Sequence, residues 1–512
     1  PHECSSAASD VYKRQIPSVA YLQLAQEEDV PESVLIPKGS HFTSEAKGRL
    51  CQFTTVDDLK TAPFTLTDTT ASSAPFKFNR PAGTEQSTAV IQLSFSTGDP
   101  DTHFSQLGHQ DLDLFVQGFE NNADSLVELL LGQTKAISIS DASCEKHVVL
   151  LAEKLKSRIS DLNFLFLPQK GNQFSGFQLI SEFFFFKEKR QFFRLKDFGQ
   201  AIKQFDCSEI KLNLFMNSIP TEFMRLFDNQ VFKLDIIPAV NLFEQTGEPT
   251  NYDQRSLTIP VNADAHSESD IEVVEVKEVF EITPQGEKPL VPLFRDSYKS
   301  NPNADYWQSS RDINGQFQLA ISLKPNHDLE FNKLYGTHLL CTNGKQACGI
   351  NGEMECLESI DLPGVFRAIY PPTAPIEREQ NLNLHWQFVG LLNGNFSSLL
   401  HADNPTEKLK QMLQLCSREQ VSAEEIQTIH NVSIKSQVSA IRIMGKNVFS
   451  PGTEIELTLD TQGGFLVFSD VLNRFFQQFC SFDRYIQLSI KIYGRDGIAK
   501  RYPKIHGSQL AM

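Results

Sequence analysis

The sequence predicts a β-rich α+β protein of several domains, with antiparallel sheets and interspersed helices. Three observations carry this. The chain has 512 residues, and single hydrophobic cores stop growing near ~250–300 residues. Apolar and polar residues alternate over many short stretches, the period of a half-buried strand. The few segments with helical periodicity are scattered along the chain and form no continuous bundle.

Hydrophobic residues make up 40% and charged residues 21%, a globular balance with too much apolar content for disorder. Lys+Arg number 47 against 63 Asp+Glu, a net charge of −16. That sign repels phosphate backbones and anionic surfaces, so no nucleic-acid partner is expected, and no run approaches the ~20 apolar residues of a membrane span, so no membrane insertion is expected. Phe dominates the aromatics, with 40 Phe, 10 Tyr and 2 Trp. Phe has no polar tip and suits burial in cores or between subunits. Nine cysteines are spread thinly, which fits a reducing compartment better than a disulfide framework.

Residues 1–15 are small and polar without periodicity, and read as a leader foreign to the protein. Ile16 to Leu24 reads as an extended segment. Val34 to Gly39 reads as a strand entering a turn set by Pro37 and Gly39. Phe53 to Leu66 is short-strand material, and the Thr/Ser/Pro-rich stretch 67–87 reads as a long loop. Ile91, Leu93 and Phe95 alternate, as do Leu112, Leu114 and Val116. Asn122 to Ser125 offers N-cap residues for a helix, and a second helix is expected over Glu145 to Ile159. Phe177 to Lys187 reads as a very apolar helix, followed by strands at Gln191 to Leu195 and Ile210 to Met216. Turn residues near Gln245 to Asn251 and prolines at 371, 372 and 375 suggest domains 16–245, 246–380 and 381–512. The middle part holds a strand over Ile271 to Phe280 and a loop-like stretch over 295–316. In the last part, Thr406 to Cys416 and Ser422 to Ile429 read as helices. Phe468, Val471, Leu472, Phe475, Phe476 and Phe479 follow helical spacing between two alternating strands.

No catalytic spacing stands out. His109 and Asp111 match one metal-ligand pattern, but Asp111 and Asp113 alternate with Leu112 and Leu114, which places them on the solvent face of a strand. Cys341, Cys348 and Cys356 lack the short spacing of a structural zinc site. The reading is therefore no metal, no cofactor and no enzyme, with a metal enzyme using His109 and Asp111 as a remote alternative. The run Phe183 to Phe186 reads as buried within the chain, or in part as a subunit interface.

Several segments, in order, resemble the TssF family (also called VasA or ImpG) of type VI secretion baseplate proteins. They are Pro17-Ser18, then Pro37 and Gly39 followed by Cys51 to Thr55. Next come Glu182, Phe183 and Phe184 with Phe192 and Phe193. Lys187 stands where the family has a Pro. Asn241-Leu242-Phe243 with Pro249 follows, then Trp307 and Arg311, Asn343, Trp386 with Asn395, and Leu472, Phe475, Phe476 and Phe482. The resemblance implies a fold similar to contractile phage-tail wedge proteins and a structural role, with these positions serving fold or assembly. It implies two copies pairing with one TssG in a wedge that joins TssE and TssK and surrounds the VgrG spike hub. Such wedges start tube and sheath assembly. It places the baseplate in the cytoplasm, docked at the inner membrane of a Gram-negative bacterium. The family also carries a leading helical region that this sequence is expected to lack. A wedge protein of another contractile injection machine is the nearest alternative.

Overall fold

The structure is a computed structural model. It describes residues 15–26, 33–108, 111–119, 122–169, 175–252, 256–263, 271–293, 304–313, 315–323, 333–377, 404–417, 424–443, 446–461, 463–478, 480 and 484–506. The expected β-rich α+β class holds. The described α-helices are α1 (Ala123–Gln133), α2 (Ser175–Phe185), α3 (Phe198–Ile202), α4 (Thr221–Met224), α5 (Pro405–Ser417), α6 (Glu424–Gln427) and α7 (Leu466–Gln478).

A closed barrel occupies one part of the molecule. Its strands run Val19–Gln26, Ile236–Val240, Arg49–Thr55, His41–Ala46, Glu353–Cys356 and Gly364–Ala368 around the wall. All of these pairs are antiparallel, for example Val19↔Val240 and Leu22↔Ala368. The first strand is apolar on both faces because both are covered. Ala20, Leu22 and Leu24 join the barrel core with Phe42, Phe53 and Phe366, while Val19 and Tyr21 join a neighbouring core with Phe115, Phe166 and Phe192. Gly39 supplies the positive φ of 91° that the Pro37-Lys38-Gly39 turn requires.

Two further antiparallel sheets follow. One is ordered His147–Leu151, Thr134–Asp141, Glu209–Met216, Ala89–Ser96, Thr65–Ser73; the other is Leu155–Ser157, Phe192–Leu195, Leu112–Val116, Phe232–Lys233. The middle of the chain packs Phe243–Thr246, Lys333–Thr342, Glu272–Thr283 and Gly286–Pro289 against a sheet of Ile259–Pro260, Phe317–Ser322, Tyr306–Arg311 and Val291–Pro292. Phe243, Trp307, Leu319, Tyr335 and Leu339 fill the space between them. Gly336 lies opposite Phe280 in the ladder. A Cβ there would stand 2.4 Å from the Phe280 ring, so the absent side chain is what lets the ring lie flat on the strand.

The last sheet joins Ile429–Ile443, Lys446–Leu459 and Tyr485–Ile492. Its second and third strands are parallel, which demands a crossover connection, and α7 supplies it. Phe468, Val471, Leu472, Phe475 and Phe476 form the buried face of α7, as their spacing predicts. That face does not stay within its own sheet. Residues 62–234 and 409–502 contribute to one continuous core, in which α7 meets α2 through Phe183–Phe468 and Phe177–Phe475 ring contacts.

Three local expectations are corrected. Glu145 to Ile159 is no helix: it forms the strands His147–Leu151 and Leu155–Ser157 around a short 3-10 turn. The first pairs with Thr134–Asp141, placing Val148 opposite Ile139. The stretch 67–87 begins as strand, since Thr65–Ser73 pairs along Ala89–Ser96. Thr-rich sequence suits an edge strand with one wet face. Within 295–316, Tyr306–Arg311 is a strand whose Trp307 points into the core.

Candidate functional site: a buried charge knot

The segment resembling the family's Glu-Phe-Phe motif folds into a knot of buried charge. Helix α2 carries Glu182 on its inner side. The chain leaves α2 through a 3-10 turn over Lys187–Gln191, so the missing proline at 187 does not prevent the turn. That turn brings Lys189 back onto Glu182, with Nζ 2.6 Å from Oε2. Both side chains are 0% exposed. The Glu182 carboxylate also accepts the backbone N–H groups of Phe166 at 3.0 and 2.9 Å and Leu167 at 3.0 Å, and the Gln178 amide at 2.8 Å. Gln178 donates in turn to the Leu167 carbonyl at 2.7 Å. The carboxylate's acceptor sites are thus taken by the loop before α2, by α2 itself and by the turn after it. Burial pulls the Lys189 ammonium below its ordinary pKa, and the Glu182 charge opposes that fall. The faces of Phe166 and Phe164, 4.9 and 5.8 Å away, line its remaining side.

Neighbouring arginines extend the knot. Arg158 stacks 3.7 Å over Phe164 and pairs with Asp57 at 2.7 Å. Arg190 lies 4.2 Å over Phe183 and reaches Glu425 of α6 at 2.6 Å and Asp124 of α1 at 3.6 Å. Arg194 grips Asp113 with two bonds of 2.6 and 2.7 Å, which drive its pKa further upward. Asp113 is therefore half-buried in an ion pair on its strand, where a free solvent-facing carboxylate was expected. Asp111 accepts the backbone N–H of Asp197 at 3.1 Å. His109 lies outside the described residues. Among the described residues no group of three or more His, Cys, Asp and Glu is placed to hold a metal ion.

A second joint forms where Asn241 and Asn343 meet, 102 positions apart. Asn241 donates to the Gln52 carbonyl at 2.7 Å and to Asn343 Oδ1 at 2.8 Å. Its own Oδ1 accepts from the Thr342 hydroxyl at 2.7 Å and the Asn343 N–H at 2.8 Å. Asn343 Oδ1 also accepts the Gln52 N–H at 3.0 Å. The Asn241 N–H donates to the Ser18 carbonyl at 2.8 Å. Residues near 18, 52, 241 and 343 are thereby tied where the barrel meets the middle sheets. Pro17 and Ser18 are buried here, as are Leu242 and Phe243 beside them, while Pro249 is exposed. Pro37 offers its carbonyl to the Ser40 and Thr55 hydroxyls. Arg311 stacks 3.9 Å over Phe317 and donates to the Val273, Val274 and Gly315 carbonyls.

Of the other positions singled out by sequence, Phe183, Phe184, Phe192, Phe193, Leu472, Phe475 and Phe476 are all buried within the chain. Trp386, Asn395 and Phe482 lie outside the described residues. Sequence reasoning missed Glu128. From α1 it caps α7, accepting the N–H groups of Phe465, Leu466 and Val467 at 3.0, 2.9 and 2.9 Å. Its place as the lone acid within Leu126 to Leu131 was the available signal.

Asp235 was also missed. It sits at the step from Phe232–Lys233 into the barrel strand Ile236–Val240, with φ 55°. Its Oδ1 accepts the Ala62 N–H at 2.8 Å. Burial pushes its carboxyl up to about 7. The folded state therefore keeps its proton where the unfolded chain has already ionised. Stability falls as pH climbs from the ordinary carboxylate value to about 7, and the loss is complete above that. Asp235→Asn keeps the acceptor and tolerates the left-handed backbone. We expect its urea midpoint to exceed the parent's by the equivalent of ~2–4 kcal/mol at about pH 8, with the gap closing towards about pH 4. A gap of constant size across that range would show that burial of the charge is not its cause.

The comparisons with known proteins agree with this architecture. The family model "Type VI secretion system, TssF" matches residues 11–509. "Type VI secretion system component TssF1" of Pseudomonas aeruginosa is 21% identical over 452 residues, covering 82% of this chain and 72% of that protein. A cryo-electron-microscopy structure of a type VI TssK-TssF-TssG baseplate subcomplex superposes with a TM-score of 0.77 at 18% identity, covering 100% of this chain and 96% of the other. A chain of a second type VI baseplate complex gives 0.61 at 16% identity, with 99% and 88% covered. At those identities the superpositions speak for the fold, while the family model reaches from before the barrel to beyond the last described strand. The chain belongs to the TssF family of the type VI secretion system.

Proposed function

We propose that this chain is a structural, non-catalytic subunit of a type VI secretion baseplate. The observation that carries the reading is the family match over residues 11–509, on a fold whose buried charges are spent on joints between segments. A subunit that transmits load through several neighbours needs rigid junctions. Glu182–Lys189 and Asn241–Asn343 lock the loops and sheets around them. On this reading, two copies pair with one TssG-like protein in a wedge. The wedge contacts a TssK-like adaptor and TssE, surrounds the VgrG hub and starts tube and sheath growth. It works on the cytoplasmic side of the inner membrane of a Gram-negative cell. The described residues contain no helix long and apolar enough to cross a membrane.

The test is co-expression with a TssG-like protein from the same organism, followed by mass measurement of the purified complex. The expected result is a stable complex holding two copies of this chain. Recovery of the two proteins separately would overturn the reading.

A further inference from the structure

The sheet of His147–Leu151, Thr134–Asp141, Glu209–Met216, Ala89–Ser96 and Thr65–Ser73 is packed on both faces. On one side Ile91, Leu93, Ile137, Ile139, Leu212 and Leu214 enter the large core. On the other, Val90, Phe215 and Ala136 stand opposite one another across three strands. They form a small cluster of their own, covered by the rings of Phe76 and Phe78. The two rings stack on each other at 5.5 Å and lie 6.1 and 6.4 Å from the Phe215 ring. They belong to residues 74–88, a strap that leaves Thr65–Ser73 and returns into Ala89–Ser96.

The strap is fastened in two ways. At its ends, the Ala74 N–H donates to the Thr88 carbonyl at 2.8 Å and the Thr88 N–H to the Met216 carbonyl at 3.0 Å. Midway, a chain of side chains reaches it across four adjacent strands. Gln92 Nε2 donates to Asn213 Oδ1 at 2.7 Å, and Asn213 Nδ2 donates to Ser138 Oγ at 3.2 Å. Ser138 Oγ lies 3.3 Å from His147 Nδ1. His147 Nε2 lies 2.8 Å from the Asn79 carbonyl of the strap and 3.0 Å from the Cys144 carbonyl. Carbonyls only accept, so Nε2 carries the ring proton and Nδ1 accepts the Ser138 hydroxyl. Each group in the chain thus donates towards the strap, an alignment in which the bonds polarise one another.

We propose that residues 74–88 form a strap that opens as a unit of its own, with His147 as its pin. Opening breaks the small cluster and leaves the large core intact, so it is a local event that costs less than global unfolding. It also has a defined result. Leu151 stands opposite Ala136 and Val149 opposite Ser138, on the strap's side of the sheet, and they are 69% and 47% exposed. Lifting the two rings joins Val90, Phe215 and Ala136 to these residues in one apolar strip. The strap thereby sets how much apolar surface this face presents. The inference is separate from the wedge stoichiometry, because the chain alone suffices to test it.

Two readouts on the full chain test this. The first is alkylation by iodoacetamide of the thiol introduced by Ala136→Cys, followed peptide by peptide in a mass spectrometer. Cys416, 3% exposed in the large core, is the internal reference. The second needs no introduced residue: trypsin cleavage after Lys77, which is exposed on the strap between the two rings. His147→Ala should speed both by about tenfold, the loss of one hydrogen bond that holds the closed form. Alkylation of Cys416 should not change. A rate that His147→Ala leaves unmoved at either site overturns the proposal, since His147 would then pin nothing. An equal rise at Cys416 also overturns it, because the core itself would be opening. So does a parent background in which the introduced thiol reacts no faster than Cys416, since the strap would then open only with the core.

Discussion

Replacing Glu182 with Gln is expected to lower the stability of the chain by about 3–5 kcal/mol, the cost of stranding a buried charge. The reason lies in the geometry of the carboxylate. Its two oxygens accept from Lys189, Gln178 and the N–H groups of Phe166 and Leu167. A glutamine offers one acceptor oxygen, and its NH2 group must face donors. Lys189 would keep its ammonium at 0% exposure with no countercharge. Glu182→Gln combined with Lys189→Met removes the stranded charge and should recover most of the loss, because an apolar pair of similar volume often equals a buried ion pair. Urea midpoints of the parent, both single variants and the double variant form the cycle that measures this. If the double variant is no better than Glu182→Gln alone, the damage comes from the lost hydrogen bonds of the loop, and the charge argument fails.

The second large effect is expected at Phe183. Its ring stacks on Phe468 of α7 at 5.6 Å, meets Phe184 at 5.1 Å and lies under the Arg190 guanidinium. Phe183→Ala should cost about 3–5 kcal/mol, since the cavity would open between packed helices with little freedom to collapse. Phe449→Ala is the control, because that ring is exposed and its removal should change the urea midpoint little. Equal effects at the two sites would mean that Phe183 is not the contact that couples α2 to α7.

Much of the fold was legible, and the reasons differ by element. The α7 face was readable because Phe468, Val471, Leu472, Phe475 and Phe476 keep a 3.6-residue period along one buried stripe. Ala89–Ser96 was readable because one face is wetter and its residues alternate. The segment His147–Leu151 misled because Val148 to Leu151 is a continuous apolar run flanked by charges, which fits either state. Pairing with Thr134–Asp141 decided it. Asn241 and Asn343 could be singled out by resemblance, but their contact could not, since nothing local records a partner 102 positions away. The same holds for Glu128, whose cap lies 337 positions on. Charges that pair across such distances look, in sequence, like ordinary surface residues.

The closed barrel has a consequence for how the chain comes into being. Its wall places Val19–Gln26 beside Gly364–Ala368, so the wall cannot close until a strand more than 300 residues further along has left the ribosome. The largest core waits longer still, because α7 and the last strands complete it. Early strands must therefore remain open-edged through most of synthesis, a non-local order of assembly that is slow and prone to wrong pairing. The first barrel strand is thus open to wrong pairing for as long as its partner at Gly364–Ala368 is unmade.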